Sequence, residues 1–382
     1  MQRPPFALAA LAILCAANFG LITRARADTV VVIGYAGALT GAQAHFGKDS
    51  ERGIRLAIDE INATHPVIGG QPVSYRLDAQ DDAADPKTAT TVAQRFADQH
   101  VSAVIGHQNS GTSIAVAQIY AKAGIAELTP SATSPQFTRL GLRTTFRMLA
   151  NDDFLGAAVA RYASEKLHAG RIAVMDDRTA YGQGIADVFA HDVGADGAQV
   201  VAREYTTDQA FDFAAALTLI KGRSPDAIFY GGMDTQGGPM LKQMRKYGIA
   251  VPLLGGDGLC TQEITRLAGD ALNGNLYCAD GGRSLAKMPG GPAFQKKFQA
   301  RYGEPVQLYA PYAYDAMQAI YHAMLDQQST APERVVEGLH KVAFDGVTGR
   351  VQFDEHGDLL HPAATISTFK GGQKQALTEV SQ

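Results

Sequence analysis

Two clusters of hydroxyl-bearing residues could do chemistry in this chain: Ser110 and Thr112 within residues 108–113, and Ser131 and Thr133 within residues 129–134. A hydroxyl in such a place either caps the helix that follows or donates to a ligand carboxylate, and neither cluster carries a Lys or Arg that would overbind an anion. Hydrolytic chemistry fits poorly. Ser110 lacks a G-x-S-x-G frame, and His107, three residues before it, has no orienting acid nearby in sequence, so it reads as a histidine that structures the backbone. The chain has no H-E-x-x-H and no P-loop, and Gly182 with Gly184 makes a G-x-G lacking its third glycine. Asp78, Asp81, Asp82 and Asp85 form an acidic loop without the alternating ligands and central Gly of a calcium site. Asp85 before Pro86 reads instead as a helix cap with Pro in the first turn. Binding without turnover is the class these patterns favour.

Each hydroxyl cluster follows a short apolar run, residues 101–105 and 125–128, and the stretch between them repeats its apolar positions every three or four residues (Ile114, Ala117, Ala121; Val116, Ile119, Tyr120, Ala123). That is a β-loop-α-β unit. In open parallel sheets, ligands gather at the carboxyl ends of strands, where helix N-termini face an anion. Both clusters therefore belong to one binding edge.

Upstream, residues 30–33 form a β-branched run suited to a strand buried on both faces. Ile54, Ala57, Ile58 and Ile61 mark a helix with Asp49 or Ser50 as its expected cap, and residues 73–77 a second strand before the acidic loop. Beyond residues 146–153, strands at 171–175, 200–205, 227–230, 251–254 and 276–278 alternate with helices at 181–193, 211–220 and 236–247. The remainder reads as helices over 294–302 and 309–324 and short strands near 351–353 and 363–369. Two doubly wound α/β lobes follow. No Pro- or Ser-rich linker divides them, so several strands must cross a hinge. The expected division is residues 28–150 with 280–360 in the first lobe and 151–279 with 361–382 in the second.

Arg3, the apolar run of residues 6–17 and the Ala-x-Ala pattern at 25–27 make residues 1–27 a cleavable signal peptide for export. The run is too short for a membrane span, and Leu14 before Cys15 is too bulky for a lipoprotein site. Residues 1–27 hold three arginines and no acid. The exported part keeps 31 basic side chains against 38 acidic ones, a formal balance of −7 that does not attract nucleic acid. Its two cysteines, Cys260 and Cys278, have a single possible pairing. In an oxidising compartment they form a disulfide, the alternative being two buried thiols.

In order along the chain, Leu39-Thr40-Gly41 with Phe46-Gly47, Asp81-Asp82 with Asp85-Pro86-Lys87, Val104-Ile105-Gly106-His107, Thr129-Pro130-Ser131-Ala132-Thr133, Tyr181-Gly182-Gln183-Gly184 and Tyr230-Gly231-Gly232 resemble the leucine/isoleucine/valine-binding proteins, periplasmic receptors of ABC importers. The resemblance spans nearly the whole exported chain. It implies a type I periplasmic binding protein fold, a Venus-flytrap of two lobes closing on an amino acid. It also implies delivery to an inner-membrane ABC permease with its ATPase subunits, a monomer without cofactor, and no stable membrane insertion. By the same resemblance, the ligand carboxylate meets the loops of Ser110 and of Ser131 and Thr133. The ammonium meets Asp257 and carbonyl oxygens near Ser131, and Tyr181 closes over the site from the second lobe. A buried zwitterion needs such donors at one end and an anion at the other. Asp257, within Gly255-Gly256-Asp257-Gly258 after the strand at 251–254, also suits an ordinary turn.

The chain departs from branched-chain binders at three positions: Asp257 stands where they usually have Glu, and Met233 and Phe46 where they have Tyr. The shorter acid brings the ammonium nearer the second lobe or calls for a bridging water. Met233 is adaptable enough for a larger side chain, unless it only packs the core. An amide, aromatic acid or urea-like solute on the same scaffold, or a sensor subunit signalling to a receptor kinase, are the alternative readings.

Overall fold

The computed structural model describes Met1 and residues 28–381, so the signal peptide read over residues 1–27 lies, but for Met1, outside the described residues. The chain first builds β1 (Thr29–Gly37), α1 (Ala44–Ala63), β2 (Val67–Ile68), β3 (Gln71–Asp81), α2 (Pro86–Asp98), β4 (Ala103–Ile105), α3 (Ser110–Ala123), β5 (Glu127–Thr129) and β6 (Thr145–Arg147). These strands form a sheet of order β2-β3-β1-β4-β5-β6, parallel except for the β2–β3 pair. The order reverses between β1 and β4, which opens a crevice at their carboxyl ends.

The chain then builds α4 (Asp152–Glu165), β7 (Arg171–Asp176), α5 (Ala180–Ala195), β8 (Gln199–Tyr205), α6 (Ala214–Gly222), β9 (Ala227–Gly231), α7 (Asp234–Lys246), β10 (Leu253–Gly255), α8 (Glu263–Ala268) and β11 (Leu276–Asp280). It returns to the first sheet with α9 (Gly291–Tyr302), α10 (Ala310–Gln327), α11 (Pro332–Leu339) and the hairpin β12 (Ala343–Asp345) and β13 (Arg350–Gln352). It finishes on the second sheet with β14 (Ala363–Lys370) and β15 (Gln373–Ser381), giving the order β15-β14-β11-β10-β9-β7-β8. Here the reversal falls between β7 and β9. The result is the two-lobed, doubly wound α/β fold expected from the alternating pattern.

Each lobe has its own core because each sheet buries both faces under helices. In the first, α10 lies against α1, and both cover β1, β4 and β5 with Ile54, Ile58, Met317 and Ile320. Contact is close enough that a Cβ on Gly53 would come 2.1 Å from the Ala310 carbonyl oxygen. The second lobe stacks Phe189 on Phe229 with ring centroids 4.0 Å apart. Three segments cross between the lobes, near residues 148–151, 281–284 and 354–362. They are tied by backbone bonds from Arg147 to Gly357 (2.9 Å) and from Ala150 to Gly281 (3.1 Å). No helix among the described residues is long and apolar enough to cross a membrane.

Two local expectations need correction. Helix α1 begins at Ala44, so Asp49 and Ser50 lie inside it rather than capping it. Asp49 is buried and accepts the backbone N–H groups of Gln307, Leu308, Tyr309 and Ala310 at 2.8–3.0 Å. It therefore closes the N-terminus of α10, whose orphan amides need an acceptor, 260 residues away in sequence. The acidic loop is also shorter than read, since Asp78 and Asp81 belong to β3. Asp85 does cap α2, accepting the Thr88 N–H at 2.7 Å with Pro86 at the first position.

Cys260 and Cys278 form a disulfide that joins the turn after β10 to β11. Closing a loop of this size stabilises by about 3 kcal/mol on the chain-entropy account. Cys260→Ala combined with Cys278→Ala is expected to lower the unfolding free energy by about that much. Urea unfolding with and without the bridge checks it.

Candidate ligand cleft between the lobes

Every strand that ends at the crevice leads to residues that line it. β1 leads to Phe46 in the first turn of α1, β4 to Gln108, Asn109 and Ser110, and β5 to Ser131. From the other lobe, β7 leads to Tyr181 in the first turn of α5, β9 to Met233 before α7, and β10 to Asp257 in a single 3-10 turn. With Tyr309, just before α10, these residues line one small, nearly closed cavity. The cavity gathers Phe46, Ser110, Ser131, Tyr181, Met233 and Asp257 from the residues singled out in the sequence. Thr133 is buried but does not line it. Its carbonyl accepts the Asp152 N–H at 2.8 Å, so it sits one layer behind.

The hydroxyls of the first lobe tie the two loops to each other. Ser131 Oγ donates to the Gln108 carbonyl (2.8 Å), and Ser110 Oγ accepts the Ser134 N–H (3.1 Å). Ser113 and Thr129 both donate to the His107 carbonyl, at 2.9 and 2.8 Å. Helix α3 has no side-chain cap, and its first intrahelical bond runs from the Ser113 N–H to the Asn109 carbonyl (2.9 Å). The amides of Ser110, Gly111 and Thr112 come before that bond and present the positive helix end beside the cavity, a seat for a carboxylate. His107 does have an orienting acid: Nδ1 lies 2.7 Å from Asp82, and Nε2 lies 2.9 Å from the Tyr120 hydroxyl. Both ring nitrogens are occupied away from Ser110, so the ring braces the loop. Asp82 is 25 residues earlier, at the tip of β3, which β1 separates from β4, and no local spacing could disclose it.

The second lobe supplies negative charge. Asp257 is 1% exposed and accepts the Tyr181 hydroxyl on Oδ1 and the Tyr309 hydroxyl on Oδ2, each at 2.8 Å. Burial pushes its carboxyl up to about 6, against the pull of the two tyrosine donors. Asp152, the first residue of α4, is fully buried, and the Thr133 hydroxyl, behind the cavity, is the side-chain donor that favours its ionised form. Burial, and then the charge of Asp257, hold its carboxyl well above the usual carboxylate range. Among the described residues no ion pair reaches either acid. Arg147, the cation that acts on Asp152, is engaged by Asp358 at 2.8 Å and by carbonyl oxygens of Ala132 and Ser134.

Phe46, Met233 and Tyr309 form the apolar part of the lining, with Phe46 and Tyr309 5.6 Å apart between ring centroids. Sequence reasoning missed Tyr309, which lines the cavity, and Asp152, which lies behind it and interacts with Asp257 through its charge. Tyr309 was visible only as the start of a helix, and Asp152 only as one acid after a strand. What matters in each is the partner it faces.

Two lobes, crossing strands and a buried cleft at both strand-order reversals define a solute receptor of the periplasmic binding class. Residues 30–373 match the family model described as periplasmic binding protein, and the chain belongs to that family. It is 34% identical to an amino acid binding protein of Pseudomonas aeruginosa, covering 94% of this chain and 95% of the relative. It is 33% identical to Leu/Ile/Val-binding protein homolog 1 of Brucella suis, covering 97% of each. Among solved structures, it superimposes with a TM-score of 0.84 on the branched-chain amino acid transporter substrate binding protein of Streptococcus pneumoniae in complex with isoleucine. That match has 29% identity and covers 93% of this chain and 100% of the other.

Proposed function

We propose that the chain is an exported receptor of an ABC importer that closes its lobes on an apolar L-amino acid and hands it to an inner-membrane permease. The observation that carries this reading is the pairing of charges at the cleft: Asp257, a buried carboxyl group without a cation, lines the same small cavity as the uncapped N-terminus of α3, together with Phe46, Met233 and Tyr309. Burying a lone carboxylate is strongly unfavourable, whereas a zwitterion satisfies both ends at once. Its ammonium lies against Asp257, with Asp152 near by, and its carboxylate meets the α3 amides and the loop of Ser131 and Thr133. Its side chain lies among Phe46, Met233 and Tyr309. The kinship with amino acid binding proteins points the same way.

The same charges account for ligand-dependent closure. Keeping Asp257 ionised in a closed cleft without a cation costs about 3 kcal/mol at neutral pH. Opening to water or binding an ammonium removes that cost, so ligand shifts the balance toward the closed form. Residues 28–150 with 280–360 would move as one body, and residues 151–279 with 361–382 as the other.

Affinity should depend on pH in a defined direction. Below about 6 the closed cleft without ligand holds a proton on Asp257, which stabilises that empty closed form in competition with the ligand, whereas an ammonium favours the ionised carboxylate. Binding is therefore strongest above that value and falls as pH drops through it, by up to about tenfold per unit. Titrations at pH 5 and pH 8 check this.

The test of the function is calorimetry on protein freed of co-purified ligand, against leucine, isoleucine, valine, phenylalanine and their deaminated acids. Binding of one or more amino acids and none of the deaminated acids is expected. Equal binding of a deaminated acid would sink the zwitterion reading in favour of an aromatic acid or related solute.

A further inference from the structure

The lobes also meet at a polar contact outside the cavity lining. His45, in the first turn of α1, reaches across to Asp234, the first residue of α7, with Nε2 2.9 Å from Oδ2. The Asp234 side chain is fully buried and the His45 side chain is 18% exposed. Within its own lobe, Asp234 Oδ2 also accepts the Thr261 hydroxyl, while Oδ1 has no partner. Each member adjoins a cavity residue: the His45 ring lies 4.1 Å from that of Phe46, and Asp234 follows Met233. Glu263 of α8, itself paired with Arg266, adds its negative charge near the imidazole.

We propose that His45 and Asp234 form an interlobe latch, a pair of positioning residues that holds the cleft shut and sets how long the ligand stays. The two side chains come from different lobes, so opening must part them, and the parted carboxylate then meets water. Removing His45 leaves Asp234 buried without its cross-cleft partner only in the closed form. The open form and its fold lose nothing. The deficit therefore appears in dissociation from the closed state, where interface changes usually act. The amino-acid reading supplies the ligand in this scheme, but the latch itself is a contact between the two lobes.

The experiment compares wild type with His45→Ala in two measurements: leucine association and dissociation by stopped flow, and the closed fraction of ligand-free protein from a dye pair with one label per lobe. Dissociation is expected to quicken about tenfold with association within about twofold, the scale of one hydrogen bond to a charged group. The ligand-free unfolding midpoint should not move, a result that a purely structural role would not give. His45→Gln, which returns an N–H donor, should recover most of the loss. Combining His45→Ala with Asp234→Asn should quicken dissociation no further than the more severe single change. Unchanged dissociation in His45→Ala, or additive effects in the pair, overturns the latch. Should wild type bind no amino acid at all, the receptor reading fails. The dye pair then decides the latch alone, since an equal closed fraction in both proteins overturns it and a lower one in His45→Ala supports it.

Discussion

Asp257→Asn is expected to weaken amino-acid binding by about 2–5 kcal/mol, the usual loss when one partner of a buried charged pair is removed, while the fold is kept. The substitution preserves size and one acceptor oxygen, so one of the tyrosine hydroxyls, Tyr181 or Tyr309, keeps its bond. It also replaces by a neutral amide the anion with which the proposed ligand ammonium would pair. The loss should fall on ligands with an ammonium and spare any without one. Calorimetry on the variant checks this, alongside a denaturant curve showing that stability is retained. An affinity equal to wild type would place Asp257 outside the ligand contacts and undo the charge argument with it.

The second large effect is on stability. Arg147→Ala is expected to lower the unfolding free energy by about 3–5 kcal/mol, because it strips the partner from a largely buried charge. Arg147 is fully buried at the end of β6, and every arm of its guanidinium is engaged. Nε donates to Asp358 at 2.8 Å, Nη1 to the Ala132 and Ser134 carbonyls at 2.7 and 2.9 Å, and Nη2 to Thr138 Oγ1 at 2.8 Å. Asp358 lies in a segment that crosses between the lobes, and Ala132 and Ser134 flank Thr133. One side chain thus joins the hinge to the loop of Ser131 and Thr133. Arg147→Lys should rescue little, since a single ammonium cannot reproduce a planar fork with donors in three directions. Urea unfolding measures the loss, and ligand affinity of the surviving folded fraction should fall with it.

Much of the architecture was legible in the chain because parallel α/β sheets write themselves in local pattern. Buried strands such as residues 30–33 and 227–230 are continuous apolar runs, and helices such as α1 and α10 repeat at 3.6 residues. The positions of Ser110 and Ser131 followed from a topological rule, since each comes just after a strand, whereas Tyr181 and Asp257 were implied by the resemblance to leucine/isoleucine/valine-binding proteins. Failures came where partners are distant. Asp49 looked like a cap for its own helix and instead closes α10, which enters the fold 260 residues later. His107 lacked an acid in its neighbourhood and has one in Asp82, because β3 and β4 flank β1 and bring their ends close.

By itself, the sequence determined two α/β lobes, the strand tips that form the cleft, an excess of negative charge and a single possible cysteine pairing. These depend on periodicity and composition, which are local or additive. Only the tertiary structure decided that Asp257 is held between tyrosines from opposite lobes, that Asp152 is buried without an ion-pair partner among the described residues, and that His45 meets Asp234 across the cleft. Each of these depends on burial and on distances between residues far apart in the chain. A carboxyl group's charge state answers to what surrounds it in space, and no spacing along one strand or helix encodes that.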